Sequence, residues 1–362
     1  MKLFRFGSRP KQNNNQIPHL RVPVAHLQGP GKLHCQAQHL VFATADTKQV
    51  RLDIEGLESL FLYGAVSVTG DALHLLSQQR IALAVLNASG TQVRSRLLPE
   101  HSSRSLQRLL QYHAYVDATW ALSFARGLVV DKLEATLAAL RHYQRQGKRI
   151  DKAAITRVEQ TLPTACTARQ LDQLRGLEGQ AAAAWFGQYG KCFGKRWTFA
   201  GRQRRPARDP INALLSLAYM QLYRRVAARL EASGYEATWG GLHEFRPGRL
   251  SLACDIMEPL RIPVVDRWVV AVCQQGMVQP HQFTQDDQQG VRLAPDALTS
   301  ILARFEQWWH SGNFDLHLGQ QISRYETSLR EQTSASARRQ MKAIKNRFLA
   351  ELRGSGELEV VL

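Results

Sequence analysis

The sequence predicts an α+β protein with a small β-rich N-terminal domain followed by a larger all-α C-terminal domain. Two observations carry this. From Arg21 to about Gly90 the apolar residues fall in short, β-branched, partly alternating runs cut by glycine and polar turns. From about Ser102 onward they recur at helical spacing through long segments. A chain of 362 residues is long enough for two such units, each burying its own core.

The strand runs are RVPVAHLQ, KLHCQAQHLVFAT, QVRLDIEGLESLFLYG and AVSVTG; one short helix, DALHLLSQQR, follows before IALAVLNASG gives another buried strand closed by an Asn/Ser/Gly turn. The helical runs are SLQRLLQYHAYVDATWALSFARGLVVDKLEATLAALRHYQRQ, CTARQLDQLRGLEGQAAAAWFGQYG and PINALLSLAYMQLYRRVAARLEASG. The expected organisation is a flexible arm over 1–20, a β-rich domain over 21–97 and an α-helical domain over 103–353. Within the last of these, the tail SASARRQMKAIKNRFLAELR reads as a basic amphipathic stretch whose Met341, Ile344 and Phe348 pack inward. There is no internal repeat.

Lys and Arg number 47 against 30 Asp and Glu, a formal net charge of +17. An excess of that size implies a polyanionic partner, and nucleic acid leads. No apolar run reaches the roughly 18 residues of a spanning helix, and MKLFRFGSRPKQNNNQ lacks the apolar centre of a secretory signal. The expectation is a soluble, cytoplasmic protein with no membrane partner. Cys35, Cys166, Cys192, Cys254 and Cys273 are scattered, without a CxxC pair, which argues against a disulfide framework or a zinc site and for a reducing compartment.

The densest chemistry lies in GLHEFRPGRLSLACDIMEPLR, residues 241–261. Two readings fit it. Asp255 and Glu258, three residues apart and followed by Pro259, can form a helix capping box. Alternatively His243 and Glu258, with Asp255 nearby, supply one imidazole nitrogen and carboxylate oxygens to a divalent cation, a donor set suiting Mn²⁺ or Mg²⁺ better than structural zinc. Glu178, beside the small-residue run of GLEGQAAAAWFGQYG, is the candidate third ligand; the competing reading is an ordinary solvated helix glutamate.

Between these segments Lys191, Lys195, Arg196, Arg202, Arg204, Arg205 and Arg208 follow one another with no acid among them, interleaved with Trp197 and Phe199. Such a loop can follow a phosphate backbone while its rings stack on bases. Arg246 and Arg249 add two guanidinium groups beside His243, suited to bidentate phosphate contacts.

The strings LEGQAAAAWF, FAGRQRRPARDPINALLSLAYMQLY and GLHEFRPGRLSLACDIMEPLRIPVVDR together resemble the CRISPR-associated adaptation integrase, the first-numbered CRISPR-associated endonuclease family. LYGAVSVTGDALHLLSQQRIALAVLNASG is similar to that family's β-domain, so the resemblance spans about residues 21–310. One departure is KLEATLAAL, residues 132–140, where many members carry Asn after the Lys.

The resemblance implies that the C-terminal domain is catalytic and that Glu178, His243 and Glu258 hold Mn²⁺ or Mg²⁺, with Asp255 as the auxiliary acid. It further implies DNA transesterification, in which the 3′-hydroxyls of a short duplex, the prespacer, attack phosphodiesters at the edges of a CRISPR repeat. Lys195, Arg196, Arg202, Arg204, Arg205, Arg208, Arg246 and Arg249 would hold the DNA. The implied partners are a second copy of the chain, paired through the β-domain, and the small second-numbered adaptation protein bridging two such dimers. A structure-selective branched-DNA nuclease and a non-catalytic DNA-binding scaffold are the alternatives.

Overall fold

The computed structural model describes residues 19–20, 24–44, 46, 48–79, 81–90, 92–97, 105–203, 206–286, 290–332 and 341–347. The arm expected over 1–20 lies almost wholly outside these residues, as do Arg204, Arg205 and Phe348.

The N-terminal part holds two sheets. One has the order β1 (His19–Leu20), β5 (Gln49–Leu52), β4 (His39–Thr44), β3 (Gly31–Gln36), β7 (Val66–Val68); the other runs β2 (Val24–Gln28), β6 (Ser59–Tyr63), β8 (Ala82–Leu86), β9 (Val93–Leu97). Helix α1 (Gly70–Gln78) starts where Thr69 accepts from the Ala72 amide. Leu33, Leu40, Phe42, Leu52, Leu60 and Leu62 fill the space between the sheets.

The inner strands β6 and β8 of the second sheet are covered on both faces, which explains their sequence. In SLFLY the residues Leu60 and Leu62 face the other sheet, while Phe61 and Tyr63 join the core of the helical region. In ALAVL Leu83 and Val85 take the first side, Ala84 and Leu86 the second. A strand covered on both faces reads as one apolar run, not an alternation.

The helical region comprises α2 (Ser105–Tyr115), α3 (Ala118–Arg145), α4 (Lys152–Thr167), α5 (Leu171–Tyr189), α6 (Pro210–Ala232), α7 (Ser251–Ile256), a π-helical turn (Arg261–Asp266), α8 (Arg267–Gln274), α9 (Pro295–Ser311) and α10 (Phe314–Gln332). Helix α6 begins at the DPIN string, with Asp209 accepting from the Asn212 amide at 2.7 Å and Pro210 in the first turn, where its missing N–H costs nothing. The helical periodicity did not mark out a two-stranded hairpin, β10 (Phe283–Asp286) with β11 (Gly290–Leu293), which docks where the Val291 amide donates to the Ala207 carbonyl at 2.9 Å. In the tail Met341 is buried as the spacing predicts, whereas Ile344 is exposed.

A buried polar cluster ties sheet to helices. His26 Nδ1 pairs with the Tyr63 hydroxyl and Nε2 with Glu306, each at 2.8 Å. Glu306 also accepts from Arg225, whose guanidinium lies over the Trp309 ring. Burial alone would raise the Glu306 carboxyl, but Arg225 and His26 hold it down at about 2. Among the described residues no helix is long and apolar enough to cross a membrane.

Candidate functional site

Five segments converge on one acidic centre: α3 brings Lys132, α5 brings Glu178, the loop before α7 brings His243, α7 brings Asp255, and the turn after it brings Glu258.

Asp255 is fully buried and organises the loop. Its Oδ2 accepts from the Gly241 and Leu242 amides at 2.6 and 3.0 Å, its Oδ1 from the His243 amide at 3.0 Å. The same Oδ1 lies 2.6 Å from His243 Nδ1, which fixes the imidazole and leaves Nε2 turned to Glu258, 3.7 Å from its Oε1. The backbone can wrap a carboxylate this closely only because Gly240 has no side chain: a Cβ there would meet the His243 carbonyl at 2.6 Å and Asp255 Oδ2 at 2.8 Å.

This geometry excludes the capping reading of residues 255 and 258. Asp255 spends its oxygens on the 241–243 loop, and Glu258 directs its carboxylate into the centre, so the pair is not a capping box. The turn carrying Glu258 runs into the π-helical segment, a form that is rare and often marks functional sites. Glu258 is 2% exposed; its Oε1 accepts from Arg261 at 2.8 Å and its Oε2 from Lys132 Nζ at 2.5 Å. Burial pushes the carboxyl up, but Arg261, Lys132 and His243 outweigh it and hold it at about 2.

Glu178, half-buried on α5, accepts from the same Lys132 ammonium, so it is not the solvated helix glutamate of the competing reading. Lys132 is 5% exposed and bridges the two glutamates. Sequence reading missed it, although the signal existed: it lies among Leu128, Val129, Leu133 and Thr136 on the buried face of α3, where an unpaired cation could not stay. Among the described residues no three His, Cys, Asp or Glu side chains stand in chelating geometry; a cation, the ammonium, lies between the two carboxylates.

Behind the centre, Tyr219 on α6 has the guanidinium groups of Arg202 and Arg261 at 5.4 and 5.6 Å from its ring. Its hydroxyl donates to Asp266 at 2.5 Å, and Trp185 Nε1 donates to the other carboxylate oxygen at 2.7 Å. Burial lifts the Asp266 carboxyl to about 6 despite these donors. The sign follows from linkage: a carboxyl whose folded value lies above its ordinary 3.8 adds stability below that pH and loses it as pH rises through about 6. The stability of wild type relative to Asp266→Asn should therefore fall by roughly 2 kcal/mol between pH 4 and pH 7. Urea unfolding of both proteins across that range measures it; a constant difference rejects the raised carboxyl.

An open groove of about 1390 Å³ runs between β9 and α6. Arg94, Arg96, Arg202, Arg246, Arg249 and Arg261 line it, and Arg261 is the residue that holds Glu258. Of the cations expected to bind DNA, Lys195, Arg196, Arg208 and Arg246 are exposed, with Arg196 also donating to the Cys273 carbonyl at 3.1 Å. Arg202 is half-buried, donating to Asn212 Oδ1 at 2.9 Å; Arg249 is half-buried, donating to the Glu244 carbonyl and to Ser251. Trp197 and Phe199 correct an expectation. Trp197 is buried against Phe283 and Phe199 packs on Tyr189 and Phe186, so neither ring is open to a base.

The family model "CRISPR associated protein Cas1" matches residues 25–307, more than half of the chain. The CRISPR-associated endonuclease Cas1 3 of Thermus thermophilus is 32% identical over 251 residues, covering 69% of this chain and 73% of its own. Among solved structures, a chain of a Cas6-RT-Cas1–Cas2 complex superposes with a TM-score of 0.76 at 22% identity, over 90% of this chain and 37% of that one. A casposase bound to an integration product superposes with a TM-score of 0.68 at 21% identity, over 80% and 82%. At those identities the two structures establish the fold, while the family match establishes descent: the chain belongs to the CRISPR-associated Cas1 endonuclease family.

Proposed function

We propose that this protein is a metal-dependent DNA integrase of CRISPR adaptation, joining the 3′ ends of short DNA duplexes to the edges of a CRISPR repeat. The observation that supports it most is that Glu178 and Glu258 meet at one point while Asp255 locks the His243 imidazole so that Nε2 faces Glu258. The donor set fits Mn²⁺ or Mg²⁺: one imidazole nitrogen and two carboxylates, around a position that already attracts an ammonium. When bound, such an ion supplies Lewis-acid polarisation of a phosphoryl oxygen.

The protein's own groups do the rest. Glu258, depressed to about 2, stays ionised at every working pH and presents a fixed anion. Asp255 holds the His243 tautomer with Nδ1 bonded and Nε2 free for the centre. The arginine-lined groove positions phosphates, and positioning with electrostatics is what phosphoryl transfer chiefly needs. In the reaction a DNA 3′-hydroxyl oxygen bonds to a repeat phosphorus, the bond from that phosphorus to the neighbouring 3′ oxygen breaks, and the proton lost by the attacker is balanced by one gained by the leaving hydroxyl. No protein nucleophile is required.

The partners proposed with this activity are prespacer duplex, CRISPR repeat DNA, a second copy of the chain paired through the β-rich region, and the small Cas2 protein. They are supported by the likeness to structures named for an integration product and for a Cas1–Cas2 complex. The deciding experiment joins a labelled DNA 3′ end to a repeat-containing plasmid in the presence of Mn²⁺ or Mg²⁺ and Cas2. Cutting of branched DNA without joining would indicate a nuclease; binding with neither would indicate a scaffold.

The exposed cations carry a separate expectation. Replacing Lys195, Arg208 or Arg246 by Ala should each lower the slope of log affinity against log salt by about 0.9 on duplex DNA, without altering the fold. Binding titrations at several salt concentrations test this, and an unchanged slope rejects that residue's phosphate contact.

A further inference from the structure

Two rings that face solvent lie on the loop that carries His243, outside the basic loop, and a third lies on α2. Trp239 is 45% exposed, Phe245 58% and Tyr112, on α2, 39%. They touch one another: Trp239 meets Tyr112 edge-on at 5.6 Å between centroids and Phe245 at 6.4 Å. Single exposed apolar side chains are ordinary on a protein surface, but three large rings in contact form a patch that water solvates poorly and that marks a binding surface.

The patch is held rigid. Gln111 and Glu236 exchange hydrogen bonds at 2.8 Å, Glu236 accepts from the Thr238 hydroxyl, and the Leu252 amide donates to the Ala237 carbonyl. On the other side of Trp239, Asp255 gathers the 241–243 amides. Trp239 and Phe245 thus bracket His243 in sequence and meet in space, on a loop whose backbone is fixed at both ends.

The charge around the rings selects the occupant. Arg246 follows Phe245 directly and is exposed, and Arg249 closes the same turn; of the acids near the rings, Glu244 is paired with Arg175 at 2.8 Å and Glu236 accepts from the Thr238 amide and hydroxyl. Flat apolar faces set among cations match unpaired nucleotides, whose bases stack on the rings while their phosphates meet the arginines. We infer that Trp239, Phe245 and Tyr112 form a stacking platform for the unpaired bases of a DNA 3′ end, placing its terminal nucleotide beside His243. This rests on the integrase reading, since it assigns the rings to the attacking strand.

The test uses the full chain and a fluorescent duplex with a short single-stranded 3′ overhang, compared with the blunt duplex. Trp239→Ala and Phe245→Ala should each weaken overhang binding about ten-fold and leave blunt duplex unchanged, whereas Trp239→Phe keeps most of the affinity. Abasic residues in the overhang should cost wild type a similar factor and cost Trp239→Ala nothing further. If the abasic penalty is the same in wild type and Trp239→Ala, the rings do not stack on bases and the inference falls. It falls also if Trp239→Ala alters only the oligomeric state seen by light scattering, which would make the patch a protein interface. If the abasic cycle behaves as expected but wild type joins no strands, the platform stands and the integrase reading fails.

Discussion

Glu258→Gln should abolish strand joining, lowering the rate by two orders of magnitude or more, because it removes an anionic donor from a centre in which even supporting groups are worth ten- to a hundred-fold. It should also cost stability. The Glu258 carboxylate is the buried counter-charge of Arg261 and shares Lys132 with Glu178, and breaking a buried ion pair from one side costs about 3–5 kcal/mol. A mere capping glutamine would keep its hydrogen bond and be nearly silent. The measurement is joining of a labelled 3′ end, below the variant's unfolding temperature, beside urea unfolding and DNA binding. Affinity for DNA should persist, since the exposed cations lie elsewhere. A stable, fully active Glu258→Gln protein would remove the acidic centre from the mechanism.

Lys132→Met has the second largest expected effect. The substitution keeps an unbranched side chain on the buried face of α3 but deletes the ammonium between Glu178 and Glu258. Without divalent ions the two carboxylates then repel with Glu258 held out of water, and the unfolding temperature should fall by several degrees, as a loss of a few kcal/mol implies. Added Mn²⁺ should recover more stability in Lys132→Met than it adds to wild type, because an ion that binds only the folded state stabilises according to its affinity, and the variant releases the two carboxylate oxygens that the ammonium held. Thermal unfolding with and without Mn²⁺ reads this directly. Equal shifts in both proteins would mean that Lys132 does not compete for the position.

The β-rich start, the helical remainder and the residue types of the site were legible in the sequence because each is written in local pattern. SLFLY and ALAVL carry the apolar density of doubly covered strands, DPIN carries its own helix start, and the His, Asp and Glu of residues 241–261 stand in one short string beside the family's motifs. Glu178 stands out in sequence beside its small-residue run, yet sequence leaves the solvated alternative open; only packing of α5 against α3 puts it on the same ammonium as Glu258.

What depended on tertiary structure was the use of each group. Residues 255 and 258 are spelled like a capping box, and that reading is excluded only by the 241–243 amides folding back onto Asp255, a contact between segments that spacing cannot express. A lysine in a helix is a solvated cation by default, so Lys132 acquires its meaning only from the two carboxylates that meet it. Aromatic residues give no sign in sequence of which side they face: among the cations, Trp197 is buried in the core and Phe199 packs against it, while Trp239 and Phe245 stay exposed. Sequence determined which chemical groups the chain owns and most of its secondary structure, because propensity and periodicity are local. The fold alone decided which charges neutralise one another and which rings remain open, because burial and electrostatic pairing depend on distances between residues far apart in the chain.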